Sequence, residues 1–524
     1  MLRTTRTPLN HLATLTRRAY TASTLPRPAS VQPSADGPTF ASPPPAAPGT
    51  VDDTAGLKPQ PFILRPLSRR YQLEKIAKAD SHFSTTLTFV SPSAPRQPRS
   101  LTLPNLFLRD ASIHPDHVHP ASKQRLFRTT DIPLEGKLVG YGVHDVPGHG
   151  ECLVTEWSTP ITANVPIQSR KLSVVPVDFL AGIMKGDAEH AEREGTLPAA
   201  RPWDRAGLER TLQRTPYDLF KRDDGALLQT LDALIKDGIV VLTGVPTEEK
   251  DGHETELRRV VERIGSLRRT WYGDLWDVRA VEGSRNIAYT NLDLGLHMDL
   301  THFDNPPRYQ FLHSLENTRI TGGLSYFVDT FALASHLATH SPSTFSTLCT
   351  EDVLFSYRNG PHHTRFARPT FELVPGSTTT LHAVNYSPPF QGPLPLERLS
   401  RSPGGGGTES ADADRLAELH DALGQFAALC DGANPPGSGP EKAREEKWRF
   451  EHQLEPGECV VFDNRRVLHA RTGFSLEGEG ASRWLKGAYM DGDEVWSRWR
   501  VLKAQQREKA AGGGGEGRGR TLFV

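Results

Sequence analysis

Cysteine is scarce in this chain: of 524 residues only Cys152, Cys349, Cys430 and Cys459 are cysteine, scattered and without C-x-x-C spacing. That leaves no disulfide framework and fits a reduced compartment, with buried structural thiols as the plain reading. An excess of charge is missing too. With 61 Lys and Arg against 62 Asp and Glu, and no dense basic block away from the two ends, the chain lacks the electrostatic footprint of a nucleic-acid binder. No apolar run approaches the roughly 20 residues that a membrane helix needs, so a soluble protein is expected. Acidic residues are absent from Met1 to Ala35, where Arg3, Arg6, Arg17, Arg18 and Arg27 are interleaved with Thr, Ser and Leu. This is the composition of a mitochondrial transit peptide. The expected peptide spans residues 1–23, and the matrix is its destination.

The length exceeds what one compact core absorbs, so more than one folded unit is expected. Residues 24–60 are dominated by Pro, Ser, Ala and Gly, a composition that cannot offset the entropy of ordering, and read as a linker. From 61 to 185 short β-like runs such as Thr86-Leu87-Thr88-Phe89-Val90 and Cys152-Leu153-Val154-Thr155-Glu156-Trp157 predict a small β-rich domain. A second domain is expected over 200–505. There Leu227, Leu228, Leu231, Leu234 and Ile235 recur at helical spacing, Gly238 closes the helix, and Ile239-Val240-Val241-Leu242 follows as a buried strand. Leu257, Val260, Val261 and Ile264 mark a further helix. Strand-like segments then dominate to about Tyr489, interrupted by a helix around Ala413 to Leu429. The stretches 402–412 and 431–439 read as flexible insertions beside that helix, and 506–524 as a disordered tail. The fold class is α+β with a β core.

An iron(II) centre that binds oxygen and a bidentate co-substrate needs two imidazoles and one carboxylate on one face, with the remaining positions open. His297-Met298-Asp299 places two such ligands at i and i+2, which share a face on a regular strand and can converge at a strand end. His469 follows the strand-like run Cys459-Val460-Val461-Phe462 and supplies a third ligand from a distant strand. Among 20 histidines one His-x-Asp pair is weak evidence by itself; its neighbours decide the matter.

Those neighbours are Asn286-Ile287-Ala288-Tyr289, then Asn305-Pro306-Pro307-Arg308-Tyr309-Gln310-Phe311-Leu312-His313 and Gly322-Gly323-Leu324-Ser325-Tyr326-Phe327-Val328-Asp329. Two distal blocks complete the pattern, Val461-Phe462-Asp463-Asn464-Arg465-Arg466-Val467-Leu468-His469-Ala470-Arg471 and Ser482-Arg483-Trp484-Leu485-Lys486-Gly487-Ala488-Tyr489. From about Arg65 to Leu502 the chain resembles the γ-butyrobetaine hydroxylase and trimethyllysine dioxygenase family, within the taurine dioxygenase-like Fe(II)/2-oxoglutarate oxygenases. The resemblance implies a double-stranded β-helix (jelly-roll) core, Fe(II) held by His297, Asp299 and His469, 2-oxoglutarate as co-substrate and ascorbate as reductant. It assigns the far carboxylate of 2-oxoglutarate to Arg483, since an Arg fork pairs both oxygens, and a hydrogen bond to the co-substrate to Asn286. Arg471 is the competing cation, with a solvated or backbone-pairing arginine as its plainer reading. A quaternary ammonium is recognised by aromatic faces, and Tyr272, Trp276, Tyr289 and Tyr489 occupy positions similar to the family's cage, with Asn385 toward the substrate carboxylate. The plainer reading of these aromatics is core filling.

The implied reaction is hydroxylation of γ-butyrobetaine in carnitine biosynthesis, with succinate and carbon dioxide released. Trimethyllysine or another small carboxylic acid is the alternative substrate, and a catalytically silent ligand-binding or interaction protein the alternative class. There are departures from the pattern. Leu300-Thr301-His302-Phe303 follows the ligand pair, where animal butyrobetaine enzymes place an aromatic directly after the Asp. Where the family carries a Cys-x-Cys-x-x-Cys zinc cluster, this chain has Ser112, His114 and His117, and no histidine lies in the matching later stretch Thr155 to Arg170. Zinc is therefore expected to be absent, the alternative being a site rebuilt from His114 and His117 with His119 or Cys152. A homodimer is implied by the resemblance.

Overall fold

Ile239, Val240, Val241 and Leu242 are all buried, yet successive side chains of an extended chain leave on opposite faces. Ile239 and Val241 enter one apolar cluster, Val240 and Leu242 another. The strand they form therefore has no solvent face and lies between two layers. The computed structural model describes residues 72–78, 84–91, 94–119, 122, 124–146, 149–163, 169–185, 197–250, 255–279, 294–394, 409–432 and 447–510. The transit peptide, the linker, Asn286, Tyr289 and most of the stretches 402–412 and 431–439 lie outside the described residues.

In chain order the strands are β1 (Gln72–Lys78), β2 (Ser84–Ser91), β3 (Ala94–Pro104), β4 (Leu138–Val146), β5 (Gly150–Trp157), β6 (Leu172–Pro176), β7 (Gln213–Pro216), β8 (Ile239–Thr243), β9 (Leu275–Arg279), β10 (Leu294–His297), β11 (Tyr309–Thr318), β12 (Ile320–Gly322), β13 (Ser325–Asp329), β14 (Asp352–Asn359), β15 (His362–Pro369), β16 (Phe371–Leu373), β17 (Leu381–Val384), β18 (Arg449–His452), β19 (Cys459–Asp463), β20 (Val467–Arg471), β21 (Phe474–Leu476) and β22 (Ser482–Met490). Two sheets make the double-stranded β-helix: six strands in the order β7-β8-β19-β11-β22-β9, and four in the order β10-β20-β13-β18. Leu312, Val460 and Phe462 of the first meet Phe327, Phe450 and Val467 of the second in one apolar cluster between them. The outer face of the six-stranded sheet is covered by helices Asp224–Asp237, Glu256–Ile264 and Gly492–Ala510. Helices Thr330–His340, Pro342–Thr350 and Glu409–Cys430 cover the four-stranded one.

Local chemistry sets the junctions. Asp223 caps the helix Asp224–Asp237 by accepting from Ala226 N, and Gly238 at φ 75° ends it in the left-handed region that favours glycine. The strand β8 starts at the next residue. Arg466 ties the layers together: Nε and Nη2 pair Asp329 at 3.0 and 2.7 Å, while Nη1 and Nη2 donate to the carbonyls of Lys236 and Arg201. Two boundaries differ from the sequence reading. The helix expected from Ala413 starts at Glu409, inside the supposed insertion 402–412, because Glu409 and Asp412 suit a helix N-terminus and Ala411 propagates it. The last helix runs to Ala510 through part of the supposed tail. The helix formers from Gln505 to Ala510 carry it until the run that starts at Gly512.

Toward the N-terminus, β1-β2-β3 and β4-β5-β6 form two three-stranded sheets sharing a core that includes Leu87, Leu138, Leu153, Trp157 and Val175. Ser112, His114 and His117 are buried beside them. Ser112 Oγ accepts from Val174 N and lies 3.0 Å from His117 Nδ1, His117 Nε2 lies 3.2 Å from the Ser169 carbonyl oxygen, and His114 Nδ1 accepts from Asp116 N. His119 Nδ1 is engaged by Ser122. Both nitrogens of His117 are thus turned to hydrogen bonds.

Candidate active site

The strands β10 and β20 pair antiparallel with His297 directly opposite His469, so two imidazoles separated by 172 positions in sequence become neighbours, ring centroids 4.3 Å apart. The strand β10 ends at His297. Met298 N then bonds the Tyr386 carbonyl, and Leu300, at φ 59°, turns the chain immediately after Asp299. Asp299 Oδ1 lies 3.3 Å from His297 Nε2, Oδ2 lies 4.0 Å from His469 Nε2, and one ligand atom from each residue falls within 4.8 Å of the others. Two imidazoles and one carboxylate converging from one side are the donor set a non-haem iron takes. The His469 ring is buried. Burial, and after it the presence of His297, pulls His469 down to about 3, so its imidazole is neutral at physiological pH and one ring nitrogen keeps a lone pair for a metal.

The carboxylate is held in place by groups around it. Gln310 Nε2 and the Tyr489 hydroxyl both donate to Asp299 Oδ2, at 2.9 and 2.7 Å, and Asn464 brackets the backbone, accepting from Asp299 N and donating to Asp299 O. Burial opposes the charge on Asp299, but hydrogen bonding from His297, interactions with both histidines and the Tyr489 hydroxyl hold the carboxyl well below the usual carboxylate range.

These groups line a cavity of about 100 Å³, with Tyr272, Trp276, Phe390, Arg471 and Arg483 on its walls. Trp276 stacks on Tyr489 with centroids 3.9 Å apart. The stack needs Gly487, where a Cβ would sit 2.3 Å from Trp276 Cε2. Arg483 is buried, and among the described residues no carboxylate is paired with it; burial, then the charge of Arg471, lowers it to about 9. Arg471 is also buried, over the Phe474 ring that Arg483 shares, so a solvated role for it is overturned. His469 and Arg471 face the same way on β20, two residues apart.

Of the expected site residues, the structure brings together His297, Asp299, His469, Arg483, Tyr272, Trp276 and Tyr489. It does not bring Asn385 to the cavity wall: the Asn385 amide donates to the Pro369 carbonyl and to Glu372 Oε1, within the cluster Arg368, Glu372 and Arg465. An amide nitrogen spent on that buried cluster is not free for a substrate carboxylate. The sequence reading gave no role to Gln310, Asn464, His302 or Phe390.

A family model described as taurine catabolism dioxygenase TauD, TfdA family, matches residues 205–489, more than half of the chain. A protein named dioxygenase str8 from Strobilurus tenacellus is 36% identical over 405 residues, covering 76% of this chain and 84% of that one. Gamma-butyrobetaine dioxygenase from Pseudomonas sp. (strain AK-1) is 29% identical over 401 residues, 76% of this chain and 90% of its own. Trimethyllysine dioxygenase from Neurospora crassa is 26% identical over 458 residues, 78% and 82% of the two chains. With the iron-type donor set inside the matched segment, the chain belongs to the TauD/TfdA family, in its group of γ-butyrobetaine and trimethyllysine dioxygenases, and is an Fe(II)- and 2-oxoglutarate-dependent dioxygenase.

Proposed function

We propose that this dioxygenase hydroxylates a small trimethylammonium carboxylic acid, γ-butyrobetaine in carnitine biosynthesis, releasing succinate and carbon dioxide. One observation carries the reading: a wall of Tyr272, Trp276 and Tyr489 stands in the same cavity as the His297, Asp299 and His469 cluster. A quaternary ammonium offers no N–H to donate, so aromatic faces are what can hold it. The relative named gamma-butyrobetaine dioxygenase supports the same substrate.

In this reading His297, Asp299 and His469 hold the iron, which supplies the oxygen-activating redox chemistry when bound. Gln310 and Tyr489 keep Asp299 Oδ2 occupied and so fix the carboxylate plane. Arg483 receives the far carboxylate of 2-oxoglutarate as a bidentate fork. The aromatic walls exclude water. Residues 1–23 direct the protein to mitochondria; a fusion of residues 1–60 to a fluorescent reporter tests this, and a cytosolic signal rejects it. The protein acts as a homodimer, which sedimentation velocity tests.

The test of the function is anaerobic reconstitution with iron(II), then oxygen-started succinate release in the presence of 2-oxoglutarate and ascorbate. γ-Butyrobetaine, trimethyllysine and simple carboxylates are compared, with Asp299→Ala as control. Stimulation by γ-butyrobetaine alone supports the carnitine reading. Stimulation by trimethyllysine alone moves the assignment to the second reading, favoured by the relative named trimethyllysine dioxygenase. Asp299-dependent succinate that no trimethylammonium compound stimulates rejects both.

A further inference from the structure

The cavity has two walls built from different parts of the chain. Arg471, Arg483 and the Phe474 ring between them come from β20, β21 and β22. Phe390, from the segment that follows β17, and Tyr272 line the same cavity. That segment is stitched at both ends. Tyr386 O accepts from Met298 N, between the two ligand residues, and Gly392 N donates to Leu354 O on β14, beside an isolated bridge between Phe355 and Gln391. Phe390 therefore sits on a strap that runs from the iron-ligand turn to the β14–β15 hairpin.

Its ring is also held from behind. His302 and Tyr357 meet it edge to face, at centroid distances of 5.2 and 5.8 Å, an arrangement favoured by the ring quadrupoles. His302 and Tyr357 stack on each other at 5.2 Å, and both stack on Trp271, at 5.7 and 5.5 Å. His302 is fixed in turn by Thr364, opposite Tyr357 in the hairpin register, whose hydroxyl lies 2.7 Å from His302 Nδ1. Trp271 precedes Tyr272, so the block that backs Phe390 also backs the proposed ammonium-binding wall. A ring clamped by two others cannot swing aside to admit a longer molecule without breaking a packed stack.

We propose that Phe390 is a specificity-determining residue: clamped by His302 and Tyr357, its ring closes the substrate side of the cavity and sets the chain length of the acid that fits. His302 and Tyr357 are positioning residues, acting through Phe390. The proposal rests on the reading of the site as one for a small trimethylammonium acid. A single methylene against such a wall discriminates by roughly 10–200-fold.

The experiment uses ω-trimethylammonio acids with chains of four, five and six carbons, and the plain carboxylates of matching length. Succinate release is measured for the wild type, Phe390→Ala, Phe390→Leu and His302→Ala. The thermal shift of the iron- and 2-oxoglutarate-loaded enzyme without oxygen reads binding apart from turnover. Phe390→Ala is expected to raise the longer compounds at least about tenfold relative to the four-carbon one, Phe390→Leu to fall between it and the wild type, and His302→Ala to shift the profile the same way. If only plain acids bind, the trimethylammonium reading falls, and their length profile still reports on Phe390. A profile that Phe390→Ala leaves parallel to the wild type, or a series that binds neither protein, overturns the proposal.

Discussion

A carboxylate that ligates a metal through one oxygen must have its other oxygen occupied, or it rotates between two geometries. Gln310 and Tyr489 do this for Asp299 Oδ2. Gln310→Leu keeps the volume and removes one donor. Its iron affinity is expected to fall roughly 10–100-fold, the usual cost of losing an orienting partner; anaerobic metal titration reads the change, and an unchanged affinity shows that Asn464 and Tyr489 suffice. Arg483 carries a second expectation. Lys offers a point charge in place of a planar fork, so Arg483→Lys should raise the KM for 2-oxoglutarate about tenfold or more and leave the KM of the hydroxylated substrate within a factor of about two. Equal increases in both reject the assignment. The metal cluster was legible in the sequence because the blocks around His297-Met298-Asp299 and around His469, 172 residues on, carry the pattern of one family. Gln310, Phe390 and the burial of Arg471 were not, since alternation gives two faces of a strand and does not say which one a cavity will take. Asn385 misled because its neighbourhood matched while its side chain is spent on Glu372.

Elements here are positioned by a few buried polar ties as well as by apolar surface. Asp329 ends β13, caps the helix Thr330–His340 by accepting from Phe331 N, accepts from Trp203 N, and pairs both oxygens with Arg466. Every strong contact of this pair is satisfied, the condition under which a buried ion pair is tolerated. Among the described residues, Asp329→Asn removes the only carboxylate hydrogen-bonded to Arg466, itself about 1% exposed, and leaves it the longer-range charges of Asp463 and Asp237. The expected loss is about 3–5 kcal/mol, seen as a lower urea midpoint with an unchanged slope. A loss below about 1 kcal/mol would show that water reaches the guanidinium. The helix and strand flanking Gly238 were legible because helical spacing of apolar residues gives way, across a single glycine, to a short continuous apolar run. The start at Glu409 was not, since glycines and a proline just before it read as loop until the structure shows how far the helix reaches.

At the scale of the whole molecule the layering follows from runs buried on both faces. Residues 239–242 and 459–462 read as strands without a wet side, and both lie in the six-stranded sheet under a layer of helices. Strand order could not be read, because it pairs β8 with β19, more than 200 residues apart, and nothing local encodes such a partner. The same burial makes the molecule acid-sensitive in several places at once. His117 beside the N-terminal sheets, His302 behind the cavity and His313 on β11 are each at most about 1% exposed, and burial lowers each of them from 6.5 to about 4. In the fold they are neutral, whereas in the unfolded chain they take up a proton near pH 6.5. The unfolded state thus binds more protons between these values, so their contribution is intact above about pH 6.5 and is lost as the pH falls toward 4, by up to about 1.4 kcal/mol per pH unit for each histidine. The melting temperature of the metal-free protein should therefore drop across that window, with His313→Asn losing less per unit than the wild type. A melting temperature that stays flat from pH 6.5 to 4 would mean that water or an unseen partner already solvates these rings.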